Sequence, residues 1–198
     1  LGCSKNTVDS EHLAAQLTAM DYKVVFDSDR TDADVVVINT CGFIGDAKQE
    51  SIDTILRAAQ LKEEGRIEEL FVVGCLSQRY GHELPELIPE VDAWFGAREF
   101  DPVIRALGAE PDPSRREDRY LTTPSHYAYL KISEGCNRHC AYCPIPLITG
   151  KQKSRTIEDI LTEVETLVTK GVVEFQIVAQ ELTAYGTDIY GKQMIAEL

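Results

Sequence analysis

The chain has 198 residues and a formal net charge of −13 at pH 7. That charge argues against a general phosphate-binding surface, because nucleic-acid affinity rests largely on Lys and Arg side chains that neutralise phosphates. A hydrophobic content of 43% is enough for a folded core, and six cysteines are too few for a small disulfide scaffold. No apolar run approaches the ~18 residues of a transmembrane helix, so the sequence predicts a globular protein without a membrane partner.

Residues 1–107 alternate helical and strand patterns. Apolar residues at helical spacing predict helices over residues 9–20, 46–64, 77–84 and 100–107. Short runs rich in β-branched and aromatic residues predict strands over residues 23–26, 34–39, 70–73 and 91–95. This alternation predicts an α/β domain with an open, mostly parallel sheet and helices on both of its faces.

Residues 108–125 are polar and proline-bearing and are predicted to form a linker. Residues 126–198 then return to the strand–helix alternation, with strands predicted over 127–132 and 172–178. The helix between them is predicted to begin after Thr156, with Asp159 as part of its cap. Its buried face is predicted to contain Ile157, Ile160, Leu161, Val164, Leu167 and Val168. A complete eight-stranded α/β barrel needs about 250 residues, so residues 126–198 are predicted to be the first part of one.

Cys136, Cys140 and Cys143 form the pattern C-x3-C-x2-C directly after a predicted strand. Disulfides cannot pair three thiols, and a structural zinc site takes four ligands, typically from two separate C-x2-C pairs. A four-iron cluster held by three thiolates keeps one iron open for a ligand, whereas in a pure electron carrier cysteine usually binds every iron. The spacing favours an open four-iron cluster and leaves a zinc site as the alternative.

Cys3, Cys41 and Cys75 share a local setting although no short motif joins them. Cys41 and Cys75 each follow an apolar strand and precede a helix, and Cys3 fits the end of a strand whose start is missing. The carboxyl ends of parallel strands form the ligand crevice of open α/β sheets, so the three thiols are expected to converge. The adjacent Gly2 and Gly74 suit a close backbone approach to a bulky ligand. The alternative is three buried structural thiols, a common environment for cysteine.

The pattern C-x3-C-x-aromatic-C, with Tyr142 as the aromatic residue, resembles the radical S-adenosylmethionine enzymes. In that superfamily the open iron binds the amino and carboxylate groups of S-adenosylmethionine. An electron from the cluster then releases a 5′-deoxyadenosyl radical, which abstracts hydrogen from an unactivated carbon. The cofactor carries this step, while the protein aims it and excludes water.

The sequence around both cysteine sets resembles the methylthiotransferase family of these enzymes, in LGCSKN (1–6), NTCGFI (39–44), GCL (74–76) and YLKISEGCN (129–137). The resemblance implies a radical-generating 4Fe-4S cluster on Cys136, Cys140 and Cys143. It implies an auxiliary 4Fe-4S cluster on Cys3, Cys41 and Cys75, whose open iron carries the sulfur that becomes the methylthio group. One S-adenosylmethionine methylates the sulfur and a second provides the radical. The resemblance also implies that Gln180 and Glu181 contact the amino group of S-adenosylmethionine.

Two branches of the family act on different substrates. One modifies an adenosine in transfer RNA, and the other modifies the β-carbon of an aspartate in the twelfth small-subunit ribosomal protein. Residues 4–6, 42–44, 131–135 and 145–148 resemble the ribosomal-protein branch, and a charge of −13 suits a basic ribosomal protein better than RNA. The expected function is therefore aspartate methylthiolation, without nucleic acid as the direct substrate. Transfer-RNA methylthiolation and a two-cluster electron-transfer protein are the alternatives.

The resemblance further implies a low-potential electron donor such as a flavodoxin or a ferredoxin. Low-potential clusters and thiolates need a reducing compartment, which predicts a cytoplasmic protein. The chain begins without Met and ends inside a predicted helix. We therefore expect an internal fragment of a longer protein, with the rest of the barrel and a small substrate-binding domain beyond residue 198.

Overall fold

The computed structural model describes residues 1–27 and 33–198, and these residues cluster into two units. Unit 1 consists of Leu1–Asn6 and Lys23–Pro111, and unit 2 of Thr7–Tyr22 and Asp112–Leu198. The first helix, α1 (Ser4–Ala19), therefore begins in unit 1 and continues in unit 2. No helix in the described part of the chain is long and apolar enough to cross a membrane.

Unit 1 is built on a parallel sheet in the order β1 (Ala33–Thr40), β2 (Ile67–Gly74) and β3 (Ala93–Phe95). Its other helices are α2 (Gly45–Glu63), α3 (Cys75–Tyr80), α4 (Leu84–Leu87) and α5 (Phe100–Ala106). The central strand β2 is the most deeply buried, with Leu70, Val72 and Val73 fully inaccessible. A parallel strand covered on both faces has this continuous apolar pattern. The structure thus confirms the predicted α/β class and its parallel N-terminal sheet.

Several local predictions differ from the structure. Residues 23–26 form no strand, because they have no sheet partner among the described residues. The helix predicted over residues 77–84 is two helices, since α3 already begins at Cys75 and a turn separates it from α4. Pro85 lies in the first turn of α4, where its fixed φ suits a helix start. Residues 191–198 form bends and turns rather than the start of a helix.

Unit 2 contains, in chain order, β4 (Tyr127–Lys131), β5 (Ser133–Glu134), α6 (Ile145–Ile148), β6 (Lys153–Ser154), α7 (Ile157–Thr169) and β7 (Glu174–Val178). β4 and β7 pair in parallel, and α7 lies between them in the chain. This β–α–β step is the repeating unit of a parallel α/β barrel. β5 and β6 form a short antiparallel pair. As predicted, Thr156 caps α7, and its hydroxyl accepts a hydrogen bond from the Asp159 backbone N–H at 3.1 Å.

The face that α7 buries differs from the predicted one, because it includes a charged residue. Ile160 and Leu167 are buried as expected, whereas Leu161 and Val168 are about half exposed and Glu163 is fully buried. Glu163 can occupy this position because partners from distant parts of the chain compensate its charge. The spacing of apolar residues in α7 therefore predicts correctly that this segment is helical, but it predicts only part of the face that is buried.

Glu163 belongs to a charge cluster that we define as Glu11 of α1, Arg119 and Glu163, all with fully buried side chains. The Arg119 guanidinium donates to Glu11 Oε2 from Nε at 3.0 Å and to Glu163 Oε1 from Nη1 at 2.5 Å. Burial alone raises the pKa of Glu163, but the permanently charged Arg155 and Arg119 outweigh it and hold that pKa below its usual range. Arg119 lies in the predicted linker, so part of this stretch is buried inside unit 2.

His12 lies beside the charge cluster and makes the stability of unit 2 depend on pH. Burial lowers the pKa of His12 from 6.5 to about 3, against the attraction of Glu163. The unfolded chain takes up a proton on His12 below pH 6.5 and the folded chain does not, so stability falls as the pH drops through this range. When the pH is lowered from 7 to 5, we expect the free energy of unfolding of the native chain to fall by about 2 kcal/mol more than that of the His12→Gln variant. Unfolding curves at both pH values measure this, and equal losses would contradict it.

Candidate functional site

Cys41 and Cys75 follow paired residues at the carboxyl end of the unit 1 sheet. Thr40 and Gly74, the last residues of β1 and β2, are partners in the strand register. The Cys41 backbone N–H donates to Ser51 Oγ of α2 at 3.1 Å, and the Ser51 hydroxyl donates within α2 to the Ala47 carbonyl oxygen at 2.8 Å. The end of β1 is thereby fixed to α2, and the structure places both cysteines at the expected edge of the sheet.

The loop after Cys41 packs directly on the start of α3. A Cβ at Gly42 would lie 2.8 Å from the Cys75 carbonyl oxygen and 2.9 Å from Leu76 Cα, so only glycine permits this approach. Arg79 of α3 also donates from Nη1 to the Gly42 carbonyl oxygen at 3.1 Å. The Cys41 and Cys75 segments are therefore in backbone contact.

Cys3 immediately precedes α1 and is connected to the same edge through Asn6. Its Sγ donates to Asn6 Oδ1 at 3.2 Å. Asn6 Nδ2 donates in turn to the Thr40 carbonyl oxygen at 3.0 Å, one residue before Cys41. The three cysteines thus come from segments that contact one another. The strand expected before Cys3 is not observed in the described residues.

The second cysteine set lies in a loop between β5 and α6 of unit 2. The Cys136 N–H donates to the Gly150 carbonyl oxygen at 3.1 Å, and the Cys143 N–H donates to the Cys140 carbonyl oxygen at 3.1 Å. Just before the loop, Gly135 has φ +74°, and a Cβ there would lie 2.2 Å from the Lys151 carbonyl oxygen. These contacts fix the ends of the loop, whereas residues 137–142 in its middle are exposed.

Gln180 and Glu181 follow β7, at the carboxyl end of the parallel pair that also leads into the cysteine loop. Gln180 Nε2 donates to Glu134 Oε2 at 3.1 Å. Glu181 forms an ion pair with Arg138 inside the cysteine loop. A hydrogen bond from the Thr183 hydroxyl, together with Arg138, holds the pKa of Glu181 below its usual range. The structure therefore places both residues next to the loop and keeps Glu181 ionised, and their contact with a cofactor stays a prediction.

The six cysteines, all in the described residues, form two sets of three, one in each unit, and none is in a disulfide. Every one of them is exposed or partly exposed, which argues against three buried structural thiols in unit 1. Among residues 1–27 and 33–198, no three His, Cys, Asp or Glu side chains converge closely enough to hold a single metal ion. A four-iron cluster is wider than one ion and takes one thiolate per iron. Each unit supplies three thiols that are not in disulfides, which is the number of ligands expected for a four-iron cluster with one open iron. That these thiols bind such clusters stays a prediction.

An ion-pair chain beside the second set was not predicted from the sequence. The Lys131 ammonium pairs with Asp9 of α1 and with Glu134 Oε1, the latter at 3.2 Å. Burial raises the pKa of Asp9 to about 6, although Lys131 opposes this shift. Burial alone would lower the pKa of Lys131, but Asp9 and Glu134 outweigh it and raise that pKa. The available signal was a lysine between two buried apolar residues, Leu130 and Ile132, at the end of a strand.

Two family models match the two parts of the chain. The model described as uncharacterized protein family UPF0004 matches residues 1–96, which include Cys3, Cys41 and Cys75. The model described as the radical SAM superfamily matches residues 130–198, which include Cys136, Cys140 and Cys143. Each cysteine set therefore lies within a separately matched segment.

Curated relatives match the whole chain. Proteins named ribosomal protein uS12 methylthiotransferase RimO are 57% identical to it in Bacteroides fragilis, 56% in Phocaeicola vulgatus and 50% in Chlorobium phaeobacteroides, each over 198 residues. The match covers 100% of this chain and 46%, 46% and 44% of those proteins, so the chain spans about half of their length. Together with the two family models, these identities show that the chain belongs to the radical S-adenosylmethionine methylthiotransferases of the RimO type.

Proposed function

We propose that the protein is an enzyme that adds a methylthio group to the β-carbon of an aspartate in ribosomal protein uS12. The proposed cofactors are S-adenosylmethionine and two 4Fe-4S clusters. The observation that carries the proposal is the presence of two separate three-cysteine sets, one in each unit. Methylthiolation at an unactivated carbon needs a radical source and a sulfur source, and two open clusters meet both needs.

Each cysteine set has a distinct proposed role. Cys136, Cys140 and Cys143 hold the cluster in the unit 2 loop, and Cys3, Cys41 and Cys75 hold the auxiliary cluster at the edge of the unit 1 sheet. When bound, the cluster in unit 2 would supply the electron that cleaves S-adenosylmethionine, and the auxiliary cluster in unit 1 would supply the sulfur that is transferred. The chain's own contribution is to orient them. The hydrogen bonds of Cys136 and Cys143 fix the ends of the first site, and the contact between Gly42 and Cys75 fixes the second.

Gln180 and Glu181 are proposed to bind the amino group of S-adenosylmethionine. Glu181 keeps a low pKa through Thr183 and Arg138, so it offers a carboxylate to an ammonium group. Arg138 belongs to the cysteine loop, and its ion pair with Glu181 holds the predicted cofactor-binding edge next to the predicted cluster site. Glu134, which accepts a hydrogen bond from Gln180, is itself paired with Lys131, and Lys131 also pairs with Asp9 of α1.

The proposed substrate follows from the relatives, whose name specifies ribosomal protein uS12. The net charge of −13 supports a basic protein partner. A low-potential donor such as a flavodoxin or a ferredoxin is the proposed electron source. A cytoplasmic location is proposed because low-potential clusters need a reducing compartment. The same chemistry on a transfer-RNA adenosine is the alternative substrate assignment.

The response of the reduced clusters to S-adenosylmethionine tests the proposed chemistry. We expect the addition of S-adenosylmethionine to change the electron paramagnetic resonance spectrum of the reduced protein, because an open iron accepts the amino and carboxylate groups. A protein with Cys136, Cys140 and Cys143 replaced by Ala should show no such change. An unchanged spectrum in the native protein would indicate an electron carrier with closed clusters, and a colourless protein without iron would indicate a zinc site.

A further inference from the structure

Two asparagine side chains connect the Cys3 and Cys41 segments of unit 1. Asn6, in the first turn of α1, donates from Nδ2 to Asn39 Oδ1 at 2.8 Å and to the Thr40 carbonyl oxygen at 3.0 Å. Asn39, near the end of β1, donates from its own Nδ2 to the Asn6 carbonyl oxygen at 3.1 Å. We call this reciprocal arrangement of Asn6 and Asn39 the amide pair. It joins segments that are 33 residues apart in the chain, each within a few residues of a cysteine.

The Asn6 amide is fully used and almost completely buried. Its two N–H groups are donated to Asn39 and Thr40, and its oxygen accepts from Cys3 Sγ at 3.2 Å. Only 6% of Asn6 is exposed. No other side chain of this length offers two donors and one acceptor in a planar group. Asn6 thus contacts one cysteine of the set directly and the strand end that carries a second.

Two glycines next to cysteines make room for the amide pair. Gly2 has φ +106°, and a Cβ there would lie 2.9 Å from Asn6 Cγ. Gly74 has φ +109°, and a Cβ there would lie 2.5 Å from Asn39 Oδ1. The sequence suggested that these glycines admit a bulky ligand, but in the structure the adjacent space is filled by the two amides. Because Gly74 precedes Cys75, the amide pair contacts all three cysteine segments.

We propose that Asn6 and Asn39 are positioning residues that fix the relative placement of Cys3, Cys41 and Cys75 before the auxiliary cluster binds. This rests on the proposed function, in which these three cysteines share one cluster. Ligands that are already held in place lose less conformational freedom on binding, so the bound state is longer-lived. The amide pair contains no iron ligand. A ligating Cys3 thiolate has no proton to donate to Asn6, so in the bound state the pair acts through its hydrogen bonds to Asn39, to the Thr40 carbonyl and to the Asn6 backbone.

Isosteric carboxylates separate the contributions of the two asparagines. Asn6→Asp removes both donors and places a carboxylate against Asn39 Oδ1 and the Thr40 carbonyl oxygen. Asn39→Asp removes one donor but keeps an acceptor for Asn6 Nδ2. We therefore expect a chelator to remove the auxiliary cluster roughly tenfold faster from Asn6→Asp and about threefold faster from Asn39→Asp. Gln60→Glu is the matched control, because Gln60 is an exposed amide of α2 that donates to Glu64 Oε1, and its loss rate should match that of the native protein.

The experiment uses a protein of the same length as the relatives and compares two triple-Ala variants of it, which serve as the two backgrounds for the asparagine substitutions. With Cys136, Cys140 and Cys143 replaced by Ala, only the auxiliary cluster contributes iron, and Asn6→Asp should accelerate its loss. With Cys3, Cys41 and Cys75 replaced by Ala, only the unit 2 cluster remains, and Asn6→Asp should leave its loss rate unchanged. Circular dichroism checks that each variant folds. If Asn6→Asp does not fold, Asn39→Asp is measured in both backgrounds, and its loss of the auxiliary cluster should be about threefold faster than in the native protein.

Three outcomes overturn the inference. Equal acceleration in both backgrounds would mean that the asparagines only stabilise the fold. No acceleration in the first background would mean that they do not position the cysteines. If the first background binds no iron with both asparagines intact, the proposed auxiliary cluster itself fails, and the positioning role fails with it.

Discussion

Replacing either cysteine set by Ala is expected to halve the iron content of the reconstituted protein. The native protein should hold about eight irons, from two four-iron clusters with three cysteine ligands each. Without Cys136, Cys140 and Cys143, the remaining iron should be unable to support 5′-deoxyadenosine formation. Without Cys3, Cys41 and Cys75, 5′-deoxyadenosine should still form, because the predicted cofactor site lies in unit 2 together with Gln180 and Glu181.

Iron analysis and quantification of 5′-deoxyadenosine after anaerobic reconstitution measure these effects. Single Ala replacements of Cys140, which is exposed, and of His139, which lies beside it, provide a matched pair. Cys140→Ala should abolish cofactor cleavage, whereas His139→Ala should leave it intact, since the proposed ligands are the three thiolates. Loss of both clusters from either triple variant would contradict two independent sites.

Arg119→Met is expected to destabilise unit 2 strongly. It removes the cation between Glu11 and Glu163, whose side chains are fully buried. Removing one partner of a buried ion pair typically costs about 3–5 kcal/mol, because the other charge stays buried without compensation. Glu11 keeps its hydrogen bonds from Thr122 N and Thr122 Oγ1, each at 2.7 Å, and Glu163 keeps its ion pair with Arg155. These remaining partners limit the loss. Hydrogen exchange of the α7 backbone amides reports the opening free energy of the segment that carries Glu163.

The control for this prediction is Arg115→Met. Arg115 pairs with Asp112 at 3.5 Å and with Asp118 at 3.4 Å, and about half of its side chain is exposed. Exposed ion pairs contribute about 0–1 kcal/mol, so Arg115→Met should change the exchange of α7 very little. Equal effects of the two variants would show that the charge cluster does not stabilise unit 2.

The strands and helices that bury apolar residues were predictable from the sequence. The continuous apolar run within β2 identifies a covered parallel strand, and the cap at Thr156 marks the start of α7. The strand ends also placed Cys41 and Cys75 at one edge of the sheet. These features depend on local patterns of two to four residues, which a sequence displays directly.

The buried charges could not be predicted in the same way. Glu11 and Arg119 are 108 residues apart in the chain, and their contact exists only after unit 2 has assembled. The apolar periodicity of α7 identifies apolar positions only, so the predicted buried face did not include Glu163. The amide pair was missed for a related reason, because Asn6 and Asn39 carry no pattern of their own and meet only across 33 residues of chain.

The substrate is the central claim, and the chemistry of its carbon explains why a radical route is proposed. The β-carbon of an aspartate lies beside a carboxylate, and the negative charge of that group makes removal of a proton from the carbon still harder. Hydrogen atom abstraction avoids this second negative charge. In the proposed reaction, the sulfur for this carbon would come from the auxiliary cluster that the cysteine set of unit 1 is proposed to hold.

Mass spectrometry of the offered substrate tests this claim most directly. The protein at the full length of its relatives is supplied with reductant, S-adenosylmethionine, a peptide carrying the aspartate loop of uS12, and transfer RNA in a parallel reaction. We expect the peptide to gain about 46 Da, the mass of one sulfur and one CH2, through the group transfer that the cofactors supply. The transfer RNA should remain unmodified. A mass gain on transfer RNA with an unmodified peptide would contradict the ribosomal-protein assignment.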